Sequence, residues 1–203
     1  MANNREFGWR RLHSLLGLFP IGLFLIVHFS VNYYSTKGEE AYNQAAGFMG
    51  NLPFLLFLEF ALIYIPLVFH AVYGVYIAFT AKHNVNRYGT FRNWMFLLQR
   101  ITGLFLIVFI AWHVWETRVQ KAFGAEVNFD MMENILDNPW MLAFYIAGVV
   151  SSMFHLANGI WSFCVSWGIT VSPRSQQIMT YITMAFFIVM SYVGIRALLG
   201  FVI

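Results

Sequence analysis

Long stretches without charged residues dominate the chain. Four segments contain no Asp, Glu, Lys or Arg: 12–36, 60–81, 138–173 and 175–195. A fifth covers 101–115 and reaches back to 94 if Arg100 is admitted. A membrane-spanning helix needs about 20 mostly apolar residues, so the pattern predicts five spans, at approximately 12–34, 54–81, 94–115, 139–169 and 177–200. Because a helix satisfies its own backbone groups within lipid, the predicted fold is a single all-α integral membrane domain.

Composition supports the same interpretation. The 203 residues are 60% hydrophobic and only 10% charged, whereas about a quarter of the residues in a soluble protein are charged. A net charge of +3 is too small for a nucleic-acid-binding surface. Cys164 is the only cysteine, which excludes an internal disulfide and a cysteine-ligated cluster. The first apolar run is too long for a cleaved signal peptide, so we expect it to remain as a span.

The distribution of charge predicts an orientation. Seven Lys and Arg residues lie on the side of the N-terminus: Arg5, Arg10, Arg11, Lys82, Arg87, Arg92 and Arg174. The opposite side has four, Lys37, Arg118, Lys121 and Arg196, together with seven acidic residues. The positive-inside rule therefore places the N-terminus in the cytoplasm and the C-terminus outside.

Four histidines follow a repeat. His28 and His70 are separated by 42 positions, as are His113 and His155, and the second pair is displaced from the first by 85. The sequence Phe-His-x-x-x-Gly occurs at 69–74 and again at 154–159. The first four spans thus look like a helical hairpin that has been duplicated in the same orientation, as in other membrane bundles. The fifth span is an addition.

The repeat predicts two layers of histidine pairs. His28 and His113 fall late in spans that run outward, while His70 and His155 fall past the midpoints of spans that run inward. At about 1.5 Å per residue, the second pair lies roughly 10–15 Å closer to the cytoplasm. Paired imidazoles on facing helices are typical of heme iron with two histidine ligands. Gly74 and Gly159, one turn after the inner histidines, leave room for a flat macrocycle.

Packing alone and non-heme metal sites fit these histidines less well. Packing could account for one intramembrane histidine but poorly for four at a repeated spacing, because burying an ionisable group in lipid is costly. A di-iron hydroxylase needs tight histidine clusters that the sequence lacks, and zinc lacks a nearby third ligand. His83 is expected in a solvated loop. Two interpretations of His13 remain open. It contacts a cofactor, a quinone or a subunit, or it simply lies at the membrane interface.

Several long motifs resemble one family. They are Asn4-Arg5-Glu6-Phe7, Arg10-Arg11-Leu12-His13-Ser14-Leu15-Leu16-Gly17, Pro66-Leu67-x-x-His70-Ala71-Val72-Tyr73-Gly74, Trp112-His113-Val114-Trp115-Glu116-Thr117-Arg118 and Trp167-Gly168-Ile169-Thr170-Val171-Ser172-Pro173-Arg174. Together they resemble the cytochrome b558 subunits of succinate dehydrogenase from Bacillus-type bacteria, along essentially the whole chain.

The resemblance implies a membrane anchor that holds two b hemes in the bacterial cell membrane. His70 and His155 would ligate the cytoplasmic heme, and His28 and His113 the outer one. A flavoprotein and an iron–sulfur subunit would dock on the cytoplasmic face and send electrons through the inner and outer hemes to menaquinone. The chain itself would perform no dehydrogenase chemistry.

Further site residues are hypotheses. Candidates for the heme surroundings, besides Gly74 and Gly159, are Arg11, His13, Arg100, Arg118 and Lys121. Candidates for an outer quinone site are Asn32, Tyr33, Glu59, Trp112, Glu116 and Trp140. Three alternatives stay open: the anchor of a quinol:fumarate reductase, the anchor of another diheme oxidoreductase such as a hydrogenase or formate dehydrogenase, and a heme-free structural or transport protein.

Overall fold

The computed structural model describes residues 4–82 and 84–203, and all regular structure in these ranges is helical. The helices are α1 (Arg5–Lys37), α2 (Glu39–Gly50), α3 (Leu55–Thr80), α4 (Phe91–Ala122), α5 (Phe129–Leu136), α6 (Pro139–Ser166) and α7 (Pro173–Leu199). Five of them, α1, α3, α4, α6 and α7, are long and apolar enough to cross a membrane. The prediction of an all-helical protein with five spans is confirmed. His83 lies outside the described residues.

The first and third spans are longer than predicted. They were expected at 12–34 and 94–115, but α1 covers Arg5–Lys37 and α4 covers Phe91–Ala122. The uncharged window underestimates these helices because charged residues do not end a helix; they only mark where it leaves the apolar layer. Backbone geometry ends α1 instead, since Gly38 adopts a φ of 94°, which a residue without Cβ reaches at little cost.

Side-chain caps fix the starts of the last two spans. The Asn138 side chain accepts a hydrogen bond from the Trp140 N–H at 2.9 Å. Ser172 and Ser175 form a reciprocal capping box at the start of α7. Pro139 and Pro173 each occupy the first helical turn, where the missing N–H costs no hydrogen bond.

Helix α6 is at the centre of the bundle. It packs against α1, α4, α5 and α7, while α3 packs against α1 and α4. Consequently α1, α3, α4 and α6 surround a common interior. Helix α7 packs against α6 and the second half of α1, and only its last turns reach this interior. We call the end of the bundle where α1 begins the N-terminal face and the opposite end, where α7 finishes, the C-terminal face.

A small aromatic cap closes part of the C-terminal face. Phe201 is 2% exposed and lies against Tyr42 of α2 and Phe129 of α5, with ring centroids at 4.8 Å and 5.0 Å. The Phe129 N–H donates to the Asn43 side chain at 2.8 Å. Burial raises the pKa of Tyr42 to about 12, so its phenol stays neutral at physiological pH. The two helices that follow α1 and α4 are thereby joined to the C-terminus.

Replacing Phe201 by Ala should loosen this cap. Truncating a fully buried Phe costs about 3–5 kcal/mol, from lost transfer energy and the cavity left behind. We expect a clearly lower thermal unfolding midpoint of the detergent-solubilised protein. Val202→Ala is the matched control, because Val202 is 40% exposed. Equal midpoints for the two variants would show that the cap does not stabilise the fold.

Candidate functional site

A cavity of about 1610 Å³ runs along the interior between α1, α3, α4 and α6. Its walls are mostly apolar, yet all four repeated histidines line it: His28 from α1, His70 from α3, His113 from α4 and His155 from α6. Each histidine therefore comes from a different helix of the bundle.

The four histidines form two facing pairs. The rings of His28 and His113 have centroids 5.8 Å apart and planes at 72°. The rings of His70 and His155 have centroids 6.1 Å apart and planes at 82°. These are the partners that the 42- and 85-residue spacings predict.

The spacing of each pair fits a metal ion between two imidazoles. With metal–nitrogen bonds of about 2 Å, two imidazoles on opposite sides of one ion have ring centroids about 6 Å apart. Both measured separations are close to this value. The described residues contain no group of three or more His, Cys, Asp or Glu that could hold a metal ion. Two-ligand sites of this kind suit a metal whose other ligands come from a macrocycle, as in heme.

We call His70 and His155 the inner pair because they lie nearer the N-terminal face, beside Gly17 and Gly103. Hydrogen bonds at this pair leave one ring nitrogen free on each histidine. His70 Nδ1 lies 3.0 Å from the carbonyl oxygen of His13, which can only accept. His155 Nδ1 lies 3.4 Å from the Thr102 hydroxyl, which itself donates to the Leu98 carbonyl. Both histidines therefore carry their proton on Nδ1, and Nε2 keeps the lone pair that a metal requires.

In the His28/His113 pair, only His113 has this arrangement. His113 Nδ1 lies 3.4 Å from the Tyr145 hydroxyl, which donates to Glu116 at 2.9 Å. Since the phenol gives its single proton to the carboxylate, His113 must donate from Nδ1. At His28, by contrast, Nε2 lies 3.5 Å from the amide nitrogen of Asn32, which also donates to the His28 carbonyl.

Two glycines show where the inner pair sits along the bundle. A Cβ on Gly17 would lie 2.7 Å from His70 Nδ1, and a Cβ on Gly103 would lie 3.0 Å from His155 Cε1. Gly17 precedes His28 by eleven residues and Gly103 precedes His113 by ten. The two histidine layers are thus separated by about 15 Å along the helix axes, at the upper end of the predicted range.

A π-helical turn explains why these two intervals differ by one residue. Gly17–Gly22 in α1 is π-helical, whereas the matching part of α4 is regular α-helix. A π turn contains one residue more than an α turn. The π turn therefore accommodates the extra residue in α1. Gly17 and His28 keep the same positions relative to the bundle as Gly103 and His113 in α4.

The same register gives His13 a counterpart in the repeat, Gln99. Both precede the glycine that faces an inner histidine by four residues. The His13 carbonyl faces the His70 ring, and Gln99 donates to the His155 carbonyl at 3.0 Å. A Cβ on Gly74 would lie 3.3 Å from His13, and one on Gly159 would lie 3.7 Å from Gln99. The one-residue insertion in α1 hides this match when the two sequences are aligned without a gap.

Three basic side chains line the cavity towards the N-terminal face, and each has a buried nitrogen without a hydrogen-bond partner among the described residues. These nitrogens are Arg11 Nε, Arg100 Nε and His13 Nε2. Other nitrogens of Arg11 and Arg100 donate to the backbone carbonyls of Ser166 and Phe96. The His13 ring also stacks on His70, with centroids 4.0 Å apart. Buried donors without partners are costly, so this end of the cavity fits an anionic group such as the carboxylates of a heme.

The C-terminal end of the cavity differs because its charges pair with each other. Arg118 donates to Glu59 through Nε and a terminal nitrogen, at 3.0 Å and 2.8 Å. Both residues lie in π-helical turns, Glu59–Tyr64 and Trp115–Val119, which often mark functional sites. Asn32 lines the same cavity.

The remaining predicted site residues do not line the cavity. These are Lys121, Tyr33, Trp112, Glu116 and Trp140. Lys121 is exposed, with Nζ beside Gly50, and Trp112 and Trp140 are 47% and 83% exposed. Glu116 reaches the site only through Tyr145. Apolar character along one helix does not reveal which of its faces points inward, so the sequence alone does not separate these residues from those that line the cavity.

Three polar residues at the site were not predicted: Gln99, Thr102 and Tyr145. Asn158 donates to the Gln99 side chain at 2.8 Å, which completes a polar link between α4 and α6. Their signal in the sequence is the presence of amide, hydroxyl and phenol groups within apolar spans, where polar side chains need partners.

Comparison with known proteins identifies the family. Residues 84–194 match the model of the succinate dehydrogenase/fumarate reductase transmembrane subunit. The chain is 59% identical over 202 residues to the succinate dehydrogenase cytochrome b558 subunit of Bacillus subtilis, with 100% of both chains covered. It belongs to this family. A second member, the succinate dehydrogenase hydrophobic membrane anchor subunit of Thermoplasma acidophilum, is 38% identical over 63 residues, covering 30% of this chain and 50% of that protein.

The Glu59–Arg118 ion pair can be tested by a double-mutant cycle. Because Glu59 is only 14% exposed, Arg118→Gln should leave its carboxylate poorly compensated and lower the thermal midpoint, and Glu59→Gln should do the same. The double variant should lose less stability than the sum of the losses in the two single variants. The difference, the coupling free energy, should be about 1 kcal/mol. Strictly additive effects would show that the pair contributes nothing to stability.

Proposed function

We propose that this chain is the diheme membrane-anchor subunit of a succinate:menaquinone oxidoreductase. The observation that carries the proposal is the arrangement of four histidines in two facing pairs, each with a centroid separation that fits a metal between imidazoles. Family membership supports it, because the Bacillus subtilis relative is a cytochrome b558 subunit.

His70 and His155 would hold one heme b, and His28 and His113 the other. Each heme b would supply one-electron chemistry, and two hemes at different depths would provide a path for electrons across the bilayer. The protein's part is to fix the rings: the His13 carbonyl and the Thr102 hydroxyl set the proton on Nδ1 of the inner pair. Such second partners orient a ligand and raise its basicity.

The basic residues at the N-terminal end would bind the heme carboxylates. Arg11 and Arg100 each have a buried Nε without a partner among the described residues, as does His13 at Nε2. Guanidinium groups suit carboxylates because they offer several donors in one plane. Gly17 and Gly103 keep the wall close to the inner histidines, and Gly74 and Gly159 lie one turn beyond them.

The N-terminal face would be cytoplasmic and would carry the partner subunits. It holds seven Lys and Arg residues against four at the C-terminal face, which favours this orientation by the positive-inside rule. An iron–sulfur subunit and a flavoprotein subunit would dock there. Electrons would enter at this face and leave to menaquinone at the other, where Glu59, Arg118 and Asn32 line the cavity.

Glu59 would handle a proton at the quinone. Reduction of a quinone takes up protons as well as electrons, and a carboxylate at the C-terminal end of the cavity can deliver one. Arg118 holds this carboxylate in place through two hydrogen bonds. The same site could oxidise a quinol, so fumarate reduction remains the alternative direction, and the family description covers both.

The ligand assignment predicts a specific pattern of heme loss. In membranes containing the assembled complex, His70→Ala or His155→Ala should remove the heme at the N-terminal face. His28→Ala or His113→Ala should remove the other one, because an iron left with one imidazole is bound less tightly. Redox-difference spectra recorded during a potential titration would show one b-type component missing in each variant.

Ile188→Ala is the control for these variants, since Ile188 is 65% exposed on the outer helix α7. It should keep both components. Variants of one predicted pair that each lost a different component, or a wild-type complex without a b-type signal, would contradict the assignment.

The quinone role of Glu59 predicts a selective defect. Glu59→Gln should lower menaquinone reduction by the complex about tenfold or more, the effect of losing one charged interaction of about 1.5 kcal/mol. Succinate oxidation with a soluble dye that takes electrons from the partner subunits should be unchanged. Normal quinone turnover in this variant would remove Glu59 from the site.

A further inference from the structure

The four histidines differ in what lies behind them. The inner histidines donate to neutral groups, the His13 carbonyl and the Thr102 hydroxyl. His113 donates to a phenol that in turn donates to a carboxylate. Among the described residues, His113 is the one of these four histidines whose hydrogen-bonded chain of side chains ends on an acidic group.

The geometry allows the Glu116 carboxylate to polarise the His113 ring through the Tyr145 hydroxyl. Tyr145 is 2% exposed and meets the His113 ring edge to face, with centroids 5.7 Å apart. Its hydroxyl lies 3.4 Å from His113 Nδ1 and 2.9 Å from Glu116 Oε2. Because Tyr145 comes from α6 and the other two from α4, the chain also ties the two helices together at this depth.

We propose that Tyr145 and Glu116 are positioning residues that tune the heme of the His28/His113 pair. The Tyr145 hydroxyl donates a hydrogen bond to the carboxylate, which makes the phenol oxygen a better acceptor. His113, which donates to that oxygen, becomes a more basic ligand. A more basic imidazole stabilises ferric over ferrous iron and so lowers the reduction potential. The proton stays on His113 Nδ1, and no covalent bond forms or breaks. The inference rests on the proposed diheme function.

Serial action makes the effects of the two residues non-additive. Tyr145→Phe removes the acceptor of His113, and Glu116→Gln removes the charge behind it. If the carboxylate acts only through the phenol, the double variant should resemble Tyr145→Phe alone, because residues in one network do not contribute independently.

A redox titration of both hemes in the assembled complex tests the proposal. Glu116→Gln should raise the midpoint potential of the His28/His113 heme and leave that of the other heme unchanged. Tyr145→Phe should shift the same heme in the same direction. Thr102→Val should instead shift only the heme of the His70/His155 pair.

Glu133→Gln is the matched control for loss of a carboxylate at the same face. Glu133 is exposed on α5 and should leave both potentials unchanged. An unshifted potential in heme-loaded Glu116→Gln, or a shift equal to that in Glu133→Gln, would overturn this inference while the diheme function stands. A wild-type complex without heme would overturn both.

Discussion

The pairing of imidazoles across the bundle is the interaction on which the rest of this structure depends. An ionisable ring inside a membrane is costly unless it has partners, and four such rings lie in one apolar cavity. The helices around them supply those partners: a backbone carbonyl for His70, a hydroxyl for His155 and a phenol for His113. Each of these partners fixes a proton on Nδ1 and leaves Nε2 with the lone pair that a metal requires.

The requirement to keep these rings in register accounts for irregular features of the helices. The π turn at Gly17–Gly22 absorbs one residue, so that Gly17 faces His70 while His28 still faces His113. A Cβ at Gly17 would collide with His70, and one at Gly103 would press tightly against His155. The fifth span, α7, packs on α6 and reaches the cavity only near its end, through Gly194, Ala197 and Leu198. It supplies no histidine, which fits its absence from the repeat.

Much of this arrangement follows from the sequence. Charge-free stretches locate five spans, and the spacing of the histidines predicts which of them face each other. The contacts of Tyr145, Thr102 and Gln99 do not follow, because they depend on the rotation of each helix about its axis. The π turn also hides the match between His13 and Gln99. The charge and position of Lys121 suggest a cofactor contact, and the structure places its side chain on the surface beside Gly50.

We propose that each facing pair of histidines holds one heme. The most direct measurement is the ratio of extractable heme b to this chain in the purified, assembled complex, with the protein determined by quantitative amino-acid analysis. We predict two hemes per chain, falling to one when a single member of either pair is replaced by Ala. A ratio of one or zero in the wild-type complex would contradict the claim.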